Sequence, residues 1–86
     1  MNINELIAIV KNKLQVEIVI QNIKIEDKSF LHKNHKGHQE GKFHLKLTIS
    51  SSELDKISKI ASTKRIYKAL DIELKKYIHS IQILLN

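Results

Sequence analysis

This chain has no cysteine in its 86 residues. That excludes disulfides, thiolate nucleophiles, and zinc or iron–sulfur sites built from cysteines of this chain alone. It also fits a reducing compartment. No run approaches the ~20 apolar residues that span a bilayer. Met1 to Asn12 carries Glu5 and lacks a basic leader segment or small residues of the cleavage type, so it does not read as a signal peptide. The expected location is the cytoplasm, and a membrane is not an expected partner. Glycine occurs only at Gly37 and Gly41, both in one polar segment. The nucleophile elbow G-x-S-x-G, the phosphate-binding P-loop and the dinucleotide fingerprint are all missing. An enzyme is therefore not expected, although Ser50, Ser51 and Ser52 lie close to His44 in sequence.

Arginine is scarce too. Arg65 is the only one among fifteen basic residues, and the net charge is +6. Such a charge serves solubility, or it attracts nucleic acid or an acidic protein surface. Lys56, Lys59, Lys64, Arg65 and Lys68 are the candidates for nucleic-acid contact, gathered around the start of the second helix. Base reading usually falls to arginine, which occurs only once here, and the lysines as a whole are spread along the chain.

A chain of this length is one domain, residues 1–86. It buries only roughly 60–65% of its unfolded surface. Ile3, Leu6, Ile7, Val10, Leu14 and Ile18 form a stripe at helical spacing, which predicts a helix from about Asn4 to Ile18. Asn2 or Asn4 can cap it. Ile23 and Ile25 alternate with polar residues, giving a strand to about Asp27. Ser29 to Gly41 then reads as a long polar loop containing His32, His35 and His38. Phe43, Leu45, Leu47 and Ile49 alternate with His44, Lys46 and Thr48, the clearest strand in the chain. Antiparallel pairing with the preceding strand is the simplest topology. Leu54, Ile57 and Ile60 suggest an irregular helical turn. Ile66, Ala69, Leu70, Leu74, Tyr77 and Ile78 predict a second helix, about Thr63 to Ile78, capped by Ser62 or Thr63. Ile81, Ile83 and Leu85 close the chain as a strand. The order is α-β-β-α-β. The fold class is α+β: a three-stranded sheet with two helices packed on one face.

Five histidines carry the remaining chemistry. His79 follows the second helix, where it serves either as a cation at the negative end of the dipole or as a metal ligand. His44, if the pleat is regular, shares the solvent side with Lys46 and Thr48. The loop histidines are either solvated polar residues or ligands. A zinc site built from this chain alone would have to recruit His44, Asp27 or Glu40 as well.

Several segments resemble the BolA family. They are S-F-L-H at Ser29 to His32, F-H-L-K-L-T-I-S-S at Phe43 to Ser51, and I-H-S-I at Ile78 to Ile81. The resemblance runs from about Leu6 onward. It implies a fold like a class II KH domain, without the GXXG clamp that grips RNA. It further implies pairing with a monothiol glutaredoxin. The pair would hold or transfer a [2Fe–2S] cluster, completed by the glutaredoxin cysteine and glutathione, in iron–sulfur trafficking or iron and redox sensing. On this resemblance His79 and His32 are the ligands and His44 matches the family's strand histidine. The other implied role is a DNA-binding transcriptional regulator of stress response or morphology. The family's usual Arg-His-Arg at the start of the second helix reads Ser62-Thr63-Lys64 here, which weakens that second role.

Overall fold

The structure is a computed structural model that describes residues 1–29 and 42–86. The expected loop with His32, His35, His38 and Glu40 lies almost wholly outside the described residues.

The first helix, α1, runs Ile3–Glu17. Asn2 caps it by accepting the Glu5 N–H through its side chain at 2.9 Å. Leu6, Val10 and Leu14 point inward from it and are fully buried. Strand β1, Asn22–Asp27, pairs antiparallel with β2, Phe43–Ser50. Ile23 stands opposite Ile49 and Ile25 opposite Leu47, so the apolar sets of both strands share one side. A short 3₁₀ turn, Leu54–Lys56, leads into α2, Lys59–Ala69, and α3, Asp71–Lys76. Strand β3, Ile78–Leu85, lies parallel to β2. The sheet order is β1-β2-β3. Leu45, Leu47 and Ile49 meet Leu6, Val10, Leu14, Ile66 and Leu70 in one core beneath the helices. Each fully buried side chain of this kind contributes roughly 1.5–3 kcal/mol of transfer free energy.

The α+β class and the packing of helices on one side of a three-stranded sheet are as the sequence predicts. The second helix is not. It begins four residues early and is capped by Ser58, whose Oγ accepts the Ala61 N–H at 3.0 Å. Ser62 and Thr63, the expected caps, lie inside the helix. Ser62 is buried and its Oγ donates to the Leu54 carbonyl at 3.3 Å, while Thr63 Oγ1 donates to the Lys59 carbonyl at 2.9 Å.

The helix also bends at Leu70, where φ is −104° and ψ is 19°. Spacing hides the bend, because Ile66, Leu70 and Leu74 continue to recur every fourth residue across it. Charge marks it instead. Asp71 and Glu73 open α3, and Lys75 and Lys76 close it, each matching the dipole end beside it.

Ser51 has a structural assignment. It is buried, its Oγ donates to the Val19 carbonyl at 2.6 Å, and it accepts the Leu54 N–H at 3.0 Å.

Candidate functional site

The first departure from regular strand geometry falls where two histidines meet. Ile78 and Ile81 are both apolar, yet they stand three positions apart, an odd offset. Strict alternation would put them on opposite faces. The chain solves this with a bulge. Phe43 pairs with Ile78, but His44 pairs with Ser80, so His79 is the extra residue on β3. Ile78 is buried on the helix side, whereas His79 and Ser80 are both exposed. The His79 ring stands 4.9 Å from the His44 ring, tilted by 57°.

The expected position of His79 at a helix end is therefore corrected. It lies within β3, beyond the last residue of α3, and its placement follows from the bulge rather than from the helix dipole.

His44 also departs from expectation. It occupies the open side of the sheet but is only 5% exposed. The bulge turns His79 to that same side, against the His44 ring. Three segments fix His44. Its backbone N–H donates to Ser29 Oγ at 3.0 Å, and its carbonyl accepts the Lys28 N–H at 2.7 Å. Its Nδ1 is 2.6 Å from Ser80 Oγ, a hydrogen bond whose direction follows the imidazole tautomer. In the sequence Ser80 stands in the I-H-S-I segment with no role of its own toward His44. The unequal spacing of Ile78, Ile81 and Ile83 was the signal that could have exposed it.

Positive charge borders the pair. Lys28 and Lys46 line a pocket of about 360 Å³ together with His44, Ser80 and Gln82. Glu26 lies beside these lysines, 3.5 Å from Lys28 and 3.8 Å from Lys24. Partial desolvation pushes its carboxyl upward. Lys24, Lys28 and Lys46 outweigh that and hold it below its ordinary value.

Two imidazoles at this spacing offer nitrogen donors that suit a borderline metal such as iron or zinc. Among the described residues no group of three or more histidines and carboxylates is placed to hold a metal ion. By themselves the described residues bring two imidazoles together here, His44 and His79. His32, the other expected ligand, lies outside the described residues.

The candidate nucleic-acid residues divide. Lys56, Lys59, Lys64 and Lys68 are exposed. Arg65 is engaged within the fold. Its guanidinium pairs with Glu53 and donates to the Glu17 carbonyl at 2.9 Å, tying α2 to the end of α1.

Comparison with known proteins gives a consistent picture. The family profile described as "BolA-like protein" matches residues 14–86. A curated relative from Haemophilus influenzae, "DNA-binding transcriptional regulator BolA", is 32% identical over 75 residues, covering 87% of this chain and 70% of its own. The BolA domain of SufE1 from Arabidopsis thaliana superposes with a TM-score of 0.77 at 26% identity, covering 100% of this chain and 93% of that one. BolA1 from Arabidopsis thaliana does so with a TM-score of 0.77 at 26% identity, covering 92% and 87%.

Proposed function

As the chain belongs to the BolA family, we propose that it is an adaptor which pairs with a monothiol glutaredoxin to hold or transfer a [2Fe–2S] cluster. The observation that carries this reading is the bulge that sets His79, exposed, against the ring of His44. A cluster needs four protein or thiol ligands, and this chain has no thiolate to give. The missing ones would arrive as the glutaredoxin cysteine and glutathione.

In this reading His79 is a ligand and His32 its companion from the segment before β2. His44, held by Ser80 and Ser29, sets the position of the His79 ring. Lys28 and Lys46 supply positive charge beside the net negative charge of a thiolate-bound cluster. Such a cluster accepts or donates electrons and can be handed on, and ligation by imidazole raises its potential relative to four thiolates. Ligation also requires neutral imidazole, so holding weakens as the histidines protonate. The chain binds and positions, and catalysis is not assigned to it. The proposal sets it in the cytoplasm, where thiol partners stay reduced.

The test mixes the chain with a cluster-loaded monothiol glutaredoxin and records visible absorption and circular dichroism. New bands are expected on mixing, and His79→Ala should remove or shift them. A spectrum that His79→Ala leaves unchanged would discard the ligand assignment.

A second reading is a DNA-binding transcriptional regulator. Two observations favour it: the printed role of the Haemophilus relative, and the exposed Lys56, Lys59, Lys64 and Lys68. Specific binding should survive excess competitor DNA at physiological salt. Binding that disappears there reflects counterion release alone and removes this reading.

A further inference from the structure

The two outer strands of the sheet are guarded very differently. An edge strand offers unpaired N–H and C=O groups to any strand that approaches, and charged side chains are the usual deterrent. Strand β1 carries Lys24, Glu26 and Asp27 within six residues. Strand β3 is longer, at eight residues, and reads I-H-S-I-Q-I-L-L with no lysine, arginine or carboxylate. In the three-stranded sheet β3 pairs only with β2, so its other edge has no strand among the described residues. Its helix-side residues Ile81, Ile83 and Leu85 pack at the margin of the core and are only partly buried. Leu84 projects from the open side, 39% exposed.

We propose that the outer edge of β3 pairs antiparallel with β3 of a second copy of this chain, joining two sheets into one of six strands. The sequence of the strand favours a second copy over another occupant, because it complements itself. The bulge confines the regular part of β3 to the residues from Ser80 onward. Antiparallel pairing about a two-fold axis at Ile83 sets Ile83 against its own copy and Ile81 against Leu85. These residues share the helix side, so the two core margins become continuous. On the open side Gln82 meets Leu84 and Ser80 meets Asn86. No charge faces a like charge across the seam, although the chain as a whole carries +6. An isologous contact of this kind closes on itself and does not propagate into a fibre. His79 lies outside the paired segment, whereas Ser80 and Gln82, which line the pocket beside His44, lie within it.

A seam one strand wide falls at the small end of protein interfaces, under roughly 1,200 Å². The dimer is therefore weak, depends on concentration, and tightens as salt screens the net charge. Sedimentation velocity across a concentration series, at low and moderate salt, reads this directly. The double variant Gln82→Lys with Leu84→Lys places lysine opposite lysine twice in the dimer. It should dissociate the dimer, weakening it at least roughly tenfold. The double variant Gln82→Lys with Leu84→Glu places opposite charges across the same pairs and should dimerise again. Thermal melts by far-ultraviolet circular dichroism establish that both variants fold. A wild-type chain that stays monomeric at the highest soluble concentration overturns the proposal, whatever else the edge binds. A folded Lys/Lys variant that dimerises as well as wild type overturns it too. Failure of Lys/Glu to recover where Lys/Lys has dissociated overturns the Ile83 register.

Discussion

His44 shows how one side chain becomes fixed by neighbours far away in sequence. Ser29 holds its backbone and Ser80 holds its ring, fifteen and thirty-six residues away. A single intramolecular hydrogen bond contributes about 1 kcal/mol net. Its larger effect here is on the ring, because the partner on Nδ1 bears on which ring nitrogen carries the proton. Ser80→Ala should lower stability by about 1 kcal/mol in urea denaturation. Nitrogen-15 chemical shifts of His44 should pass from one tautomer to a mixture in that variant. Ser80→Thr, which keeps the hydroxyl, should preserve the single tautomer. An unchanged tautomer in Ser80→Ala would show that the ring is held by other contacts. Arg65 makes a related point. A lone arginine in a basic cluster invites a nucleic-acid role, yet its guanidinium is committed to Glu53 and to the carbonyl of Glu17.

Among the elements, the end-groups of α2 and the bulge of β3 matter most. Ser58 ends the extended segment before α2 and satisfies one of the open N–H groups of its first turn. Ser58→Ala should cost about 1 kcal/mol, measured as a shift in the urea midpoint with an unchanged slope. Ser62→Ala tests a different property. Ser62 is fully buried and donates to Leu54, so its loss should loosen the join between the 3₁₀ turn and α2 without uncapping the helix. In β3 the bulge reconciles two demands. Ile78 and Ile81 both need the core side, and the residues between them both leave it. The histidine is exposed because apolar burial on either side of it forces an extra residue outward.

For the whole molecule, charge decides how stability responds to pH. Glu26 lies among Lys24, Lys28 and Lys46, and its carboxyl is held below the ordinary value of 4.5. A carboxyl depressed in the fold stabilises the native state when ionised. That contribution is complete above the unfolded value and disappears as pH falls through the folded one. Glu26→Gln should therefore be less stable than the parent at neutral pH. The gap should close as pH falls below 4.5 and through the lowered value, as denaturation midpoints along a pH series would show. A gap that stays constant across that range would mean the lysines act on Glu26 through something other than its charge. The same positive surroundings are available to an anionic partner group beside the histidines.

The sequence carries the α+β class, both early strands, the first helix and the core stripes in plain view, because each rests on a local period that burial enforces directly. It also singled out His79 and His44 through the I-H-S-I and F-H-L-K segments. That these two rings touch is a result of the assembled sheet. Their contact depends on β3 lying parallel beside β2, which no local period encodes, and on one extra residue in that pairing, whose only trace in the sequence is the uneven spacing of Ile78 and Ile81. The bend at Leu70 was hidden for the same reason, since a four-residue spacing continues unbroken across two abutting helices. Arg65 could be assigned to the fold only once α2 had been docked against the end of α1, which brings the Glu17 carbonyl and Glu53 to one guanidinium.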